Sequence, residues 1–369
     1  MCDISYPKTA SWNEDKDCCS WDGVVCDQTT RHVIGLDLSC SWLNGSIHSS
    51  STLFFLPHLR SLNLAGNNFN RSLISSQFGN FKSLTHLNLS LSIFSGQIPS
   101  EISQLSSLVS LDLSKNGLLI KALVWKRVLG NLTQLRELIL DRTNMSSIRP
   151  NSLMNLSSSL TTLSLEDCDL QGKLENNILC LPNIQTLDLT GNSNLEGSLL
   201  KSNWSCSSLK CLVLSGRMVS GEFLNSIGNL KSLERLELFS ANFSGELPSF
   251  IGNLKSLERL ELSLANFSGE LPSFIGNLKS LKHLDLSRTS LSGELPSFIG
   301  NLKFLKHLAL RDCNITGSIP AWLGNLTKLT YLDLSYNSFN GEILLPLLNF
   351  RSFWLTHQIN NFLIIGEYF

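Results

Sequence analysis

At 369 residues and 40.9 kDa the chain is long enough for two or three ordinary domains. Only 16% of it is charged while 42% is hydrophobic, and leucine makes the difference, with 75 residues or a fifth of the chain. A formal net charge of −1 and a pI near 6.7 leave no cationic excess to displace counterions, which excludes nucleic acid as a partner. The apolar runs, such as Ile343–Leu348 and Phe362–Ile365, fall short of the ~20 consecutive residues that span a bilayer. Met1–Asp15 is polar and lacks the apolar core of a secretory signal.

In chain order, the first element is a Cys- and Trp-rich block. It comprises Trp12 and then Asp17-Cys18-Cys19-Ser20-Trp21-Asp22-Gly23-Val24-Val25-Cys26, leading into a strand at Val33. A frame L-x-x-L-x-L then begins at Leu59, Leu84, Leu108, Leu135, Leu160, Ile184 and Leu209, with spacings of 24 to 27. It continues at Leu233, Leu257, Leu281, Leu305 and Leu329, while Gly228, Gly252, Gly276, Gly300 and Gly324 recur every 24 residues. With a weaker copy at Val33-x-x-Leu36-x-Leu38, this makes about thirteen leucine-rich repeats.

The two leucines of L-x-L fall on one face of an extended strand and the residue between them on the other. Strands one period apart stack as a parallel sheet. The predicted fold is therefore an α/β repeat solenoid, with a parallel β-sheet on its concave face. Residues 1–30 form an N-terminal cap, 31–352 the repeats, and 353–369 a degenerate final repeat in which Phe353, Asn361 and Leu363 still fit the frame but Thr356 and Gln358 do not. Asn116–Asn131, the longest deviation from the period, is expected to bulge as a loop.

After most strands an Asn, Ser, Thr or Cys stands where the chain turns inward, as at Asn67, Asn116, Asn192 and Asn337. A short polar side chain there satisfies backbone groups that water does not reach. Ala241, Ala265 and Arg217 should interrupt that polar ladder. By the same position, Cys168 and Cys313 read as small buried thiols. No single repeat can fold alone, so the stack depends on its neighbours and on lids at both ends.

The cap block and the segment His32-Val33-Ile34-Gly35-Leu36-Asp37-Leu38-Ser39 resemble the N-terminal region of plant leucine-rich repeat receptor-like proteins. The repeats match the same type, with Ser95-Gly96-Gln97-Ile98-Pro99, Ser244-Gly245-Glu246-Leu247-Pro248 and Thr316-Gly317-Ser318-Ile319-Pro320 after the strand. The resemblance covers residues 12 to about 350. It implies a right-handed superhelix and disulfides Cys19–Cys26 and Cys2–Cys18. Cys180 and Cys206 occupy matching return loops of adjacent coils and are a candidate pair, with Cys206–Cys211 its rival, and Cys40 stays unassigned. Eleven Asn-x-Ser/Thr sequons together favour secretion. The candidate glycan sites are Asn44, Asn70, Asn131, Asn144, Asn155, Asn203, Asn242, Asn266, Asn314 and Asn325, with Asn88 the least suited because it points onto the inner face.

The chain carries no phosphate-cradling loop, kinase motif or catalytic constellation, so an enzyme is not expected and no cofactor is called for. His283 and His307 fall in the same column of adjacent strands, close enough for a metal in principle. Without an evident third ligand they read as solvent-facing variation, and no metal site is assigned.

The inner face of residues 233–337 is the expected binding surface. Residues 228–251 and 252–275 differ at two positions only, where Phe239 becomes Ser263 and Ser240 becomes Leu264. Stacking the strands gives a column Arg235, Arg259, His283, His307, Tyr331 beside a column Glu237, Glu261, Asp285, Ala309, Asp333. Phe239, Leu264, Arg288, Arg311, Asp312 and Tyr336 flank them as a mixed aromatic and charged strip typical of recognition surfaces.

The resemblance implies an extracellular ectodomain that binds a peptide or protein ligand and a membrane co-receptor kinase, in immune or developmental signalling. The family carries a signal peptide, further repeats and an anchor, so the chain reads as a soluble fragment of a plasma-membrane parent. A secreted polygalacturonase inhibitor and an intracellular scaffold are the alternatives.

Overall fold

Leucine spacing produces the expected coils in the computed structural model, which describes residues 5–198, 208–216, 227–240, 244–340 and 354–355. The chain divides into two compact units: Met1–Lys173 with Leu181–Leu195, and Leu174–Cys180 with Glu196–Phe369.

The first unit opens with β1 (Val24–Cys26), antiparallel to β2 (Val33–Asp37). Six strands then add in parallel, each one coil after the last: β3 (Ser61–Asn63), β4 (His86–Asn88), β5 (Ser110–Asp112), β6 (Glu137–Ile139), β7 (Thr162–Ser164) and β8 (Thr186–Asp188). Their central leucines pair directly, as in Leu62 with Leu87 and Leu87 with Leu111, and all are buried. In the second unit β9 (Cys211–Ser215), β10 (Arg235–Phe239), β11 (Arg259–Glu261), β12 (His283–Asp285), β13 (His307–Ala309) and β14 (Tyr331–Asp333) repeat the arrangement. The pair Trp354–Leu355, β15, adds to β14. Phe353 and the rest of the expected final repeat lie outside the described residues.

Each coil buries a recurring set of apolar side chains. Leu257, Leu260, Leu262, Phe267, Ile275 and Leu278 are all within 1% of fully buried, which is why the frame tolerates change only between them. The repeated Gly-Asn-Leu has a steric cause. A Cβ on Gly252 would stand 2.8 Å from Phe274 Cβ of the next coil, so only glycine lets the coils approach.

The polar ladder is present where the sequence predicts it. Asn116 donates from Nδ2 to the Leu89 and Leu113 carbonyls, both at 2.9 Å, and its Oδ1 accepts from Ser92 and Phe94 amides. Asn67 and Asn192 repeat the pattern in the first unit and Asn337 in the second. Cys168 and Cys313 are buried, and their thiols donate to the Leu140 and Leu286 carbonyls. Ala265 is buried without a polar group, as expected, whereas Ala241 and Arg217 lie outside the described residues.

Two expectations are corrected. Residues Ala122–Asn131 form a helix, α1, rather than a loop. Val124, Trp125 and Val128 recur at helical spacing and are buried, the Trp125 indole donates to Ser152, and the segment has no Pro to break it. In the cap a disulfide joins Cys19 to Cys26, as the resemblance implies, but Cys18 keeps its thiol, so the Cys2–Cys18 pair does not form. Cys18 lines an apolar cavity of about 460 Å³ together with Trp12, Trp21, Leu36 and Leu53. Cys40 is disulfide-bonded instead, and the chain at Ser5 and Tyr6 runs beside it, with the Tyr6 amide donating to the Cys40 carbonyl at 3.2 Å. Cys180 is also disulfide-bonded while Cys211 is a thiol, against the rival Cys206–Cys211 pair; Cys2 and Cys206 lie outside the described residues.

Candidate functional site

Strands β10 to β14 of the second unit set the candidate residues in the columns read from the sequence. The register pairs Arg235 with Arg259, Arg259 with His283, His283 with His307, and His307 with Tyr331. The second column pairs Glu237, Glu261, Asp285, Ala309 and Asp333 in the same order.

At the first two strands the columns join as a chain of ion pairs. Arg235 grips Glu237 with two hydrogen bonds, of 2.8 and 3.0 Å. Arg259 donates to the same Glu237 and, at 2.6 Å, to Glu261 on its own strand. Glu237 is buried, while both arginines keep a third or more of their side chains in solvent. Burial and the neighbouring Glu237 charge raise the Glu261 carboxyl above its usual range.

Further along, charge gives way to a stack of rings. His283 and His307 lie 3.9 Å apart at an interplanar angle of 16°, and His307 and Tyr331 lie 4.0 Å apart and parallel. Burial, then the His307 charge and that of Arg259 and Arg235, push His283 down to about 3. Burial likewise lowers His307, against the opposing pull of Asp285 and Asp333. Both shifts favour the uncharged rings of the stack. Asp285 sits with them: its ligand oxygen and the two imidazoles lie within 4.8 Å of one another. Asp285 lies near the two rings because residues two apart on a strand share a face.

Beside the columns runs a row of left-handed backbone. Ser240, Leu264, Arg288, Asp312 and Tyr336 have φ between 47° and 60°, a region that costs a residue with a Cβ about 1–2 kcal/mol. The twist directs the amides of Ser240, Leu264, Arg288 and Asp312 onto carbonyls of the following coil, as from Leu264 to Ser287 and from Arg288 to Arg311. It also leaves side chains outside the sheet: Leu264 is 48% and Tyr336 52% exposed. Arg311 stacks over the Tyr336 ring at 4.6 Å. Arg288 and Asp312 are exposed and Phe239 is half-buried. Asp333, like Glu237, is buried, and its carboxylate is held by the Ser335 amide and hydroxyl. The left-handed φ of Ser240 was not foreseen from the sequence, since nothing in its identity marks it.

Of the candidate glycan sites, Asn44, Asn70, Asn131, Asn144, Asn155, Asn266, Asn314 and Asn325 are exposed, and Asn203 and Asn242 lie outside the described residues. Asn88 is half-buried, and its Oδ1 accepts from the Ser90 amide and hydroxyl.

With this geometry in hand, the comparisons with known proteins converge. The leucine-rich repeat region model matches residues 171–292, a leucine-rich repeat model 279–339 and another 58–81, and the leucine-rich repeat N-terminal domain model 4–27. Receptor-like protein 6 of Arabidopsis thaliana is 45% identical over 202 residues, which is 53% of this chain and 20% of the relative. Leucine-rich repeat models thus match along the chain, and over about half of its length it is similar to a plant receptor-like protein. Receptor-like protein Cf-9 of Solanum pimpinellifolium is 44% identical over 205 residues, 55% of this chain and 23% of the relative. The chain thus spans about a fifth of the length of these curated relatives.

Among solved structures, PEPR1–AtPEP1 resembles this chain with a TM-score of 0.61 and 29% identity, over 97% of this chain and 49% of that one. A TDR receptor gives 0.61 and 28%, over 93% and 59%. The plant peptide hormone receptor RGFR1 in complex with RGF2 gives 0.53 and 26%, over 92% and 60%. Among the described residues no helix is long and apolar enough to cross a membrane.

Proposed function

We propose that this receptor-like chain is a ligand-binding part of a cell-surface ectodomain, taking a peptide or protein across the sheet face of residues 233–337. Its partner in signalling would be a membrane co-receptor kinase, as the family resemblance implies, with the repeats on the extracellular side. The observation that carries the reading is the contrast between two otherwise identical coils. Residues 228–251 and 252–275 depart only at Phe239/Ser263 and Ser240/Leu264. Those positions lie on or beside the sheet face, and Leu264 exposes nearly half of its surface while the leucines around it are fully buried. An exposed leucine in left-handed backbone contributes nothing to its own coil, and a partner gives it a use. Support from relatives comes from RGFR1, a plant peptide hormone receptor solved in complex with RGF2.

The test is a library of secreted plant peptides panned against the protein, followed by Leu264→Ser, Arg288→Ala and Tyr336→Ala combined. The combined variant is expected to lose binding with an unchanged melting curve. Retained binding, or loss only on altering the outer loops, places the site elsewhere.

A further inference from the structure

We propose that His283, Asp285 and His307 form a three-ligand site for a divalent first-row transition metal ion of the Zn²⁺ type. The proposal stands apart from the peptide-binding reading and needs no peptide. Two imidazoles and a carboxylate are the donor set such ions take, and three protein ligands with an open corner are the familiar open-site pattern. Here the topology supplies them from two adjacent strands. His283 and Asp285 stand two apart on β12 and share a face, and His307 is the direct register partner of His283 on β13. Their donor atoms lie within 4.8 Å of one another. A tetrahedral ion with ligands at ~2.1 Å needs donors about 3.4 Å apart, so binding would splay the two near-parallel rings until a lone pair of each converges with the carboxylate.

Three further observations favour an ion over a plain stack of rings. His283 Nε2 is buried and finds no hydrogen-bond partner among the described residues, the nearest acid being Glu261 Oε2 at 3.9 Å. An orphaned buried nitrogen is costly, and a metal bond would satisfy it. Asp285 spends one oxygen on the Ser287 amide, at 2.8 Å, which orients the carboxylate and leaves its other oxygen for a ligand role. The adjacent cation, Arg259, is already held between Glu237 and Glu261, so its charge is offset rather than aimed at the site.

The chain contains its own control. His32 and His58 also stack, with ring centroids 4.0 Å apart and planes at 10°, but they are exposed and belong to no group of three ligands among the described residues. Stacking alone therefore separates from ligation.

The full chain, stripped with a chelator, is titrated with Co²⁺ while the visible absorption is followed, and then with Zn²⁺ as competitor. The expected result is one saturable equivalent in the micromolar range that Zn²⁺ displaces. His307→Phe, which keeps a flat ring in the stack, and Asp285→Asn should each weaken binding at least tenfold with unchanged circular dichroism. His32→Phe should leave it unchanged. No saturation below millimolar Co²⁺, equal binding in both site variants, or loss of binding in His32→Phe overturns the assignment. Should His307→Phe unfold, Asp285→Asn alone decides.

Discussion

Arg259 of β11 reaches across to Glu237 of β10, a carboxylate only 3% exposed that already holds Arg235. Either arginine can therefore be lost while the other still neutralises the buried charge. Arg235→Ala and Arg259→Ala are each expected to cost ~1 kcal/mol or less, since both side chains are more than a third exposed. Together they strand Glu237 and should cost ~3 kcal/mol or more, beyond the sum. Adding Glu237→Gln to the double variant should recover most of the loss. Urea unfolding of the four variants measures this, and simple additivity would show that the chain of pairs is not coupled.

Asn116 meets four backbone groups of two coils from one buried side chain. Asn116→Ala leaves them unsatisfied and should cost about 2–4 kcal/mol. Cys313→Ala removes a weak thiol donor from the matching position and should cost less than ~2 kcal/mol. A smaller loss at Asn116 than at Cys313 would mean the ladder holds the coils by shape alone.

Burial pushes the Cys168 thiol up to about 12, from an ordinary value near 9. Above pH 9 the unfolded chain releases this proton while the folded one keeps it, so unfolding gains. The Cys168 contribution to stability is expected to be constant below pH 9 and to fall between pH 9 and pH 12. Cys168→Ala should flatten that part of the stability profile. In the native protein at pH 8, iodoacetamide should spare Cys168 and label Cys18, which is only half-buried; rapid labelling of Cys168 contradicts its enclosure.

Expressed with a secretion signal in plant cells, the protein should carry glycans at exposed sequons such as Asn266 and Asn314 and none at Asn88. Asn266→Gln and Asn314→Gln should each lower the mass by one glycan, and Asn88→Gln should leave it unchanged. Occupancy of Asn88 would require the strand to be open when the sugar is added, because Ser90 holds its side chain in the folded state.

The period was legible because leucine does one job, and every departure from it is buried carbon lost. The Asn, Cys and Ala at the inward turn were readable for the same reason. Helix α1 was not, since its Val124, Trp125 and Val128 sit between two frames and their 3.6-residue pattern spans under three turns. Cys18 and Cys40 were mispaired or left out because spacing cannot show which cysteine the chain before Tyr6 runs beside. The columns of the candidate face followed from strand register, but the grip of two arginines on one carboxylate and the approach of Asp285 to two rings depend on side-chain torsions. The left-handed row was hidden altogether, as serine, leucine, arginine, aspartate and tyrosine share no chemistry that announces φ.

The Gly252–Phe274 and Gly276–Phe298 contacts are the same contact made by consecutive coils. Misaligned recombination between the near-identical stretches encoding them would add or delete 24 residues while creating no junction of a new kind. Length is therefore a neutral variable in this part of the chain, and the exposed face can be lengthened first and diversified afterwards, one surface position at a time.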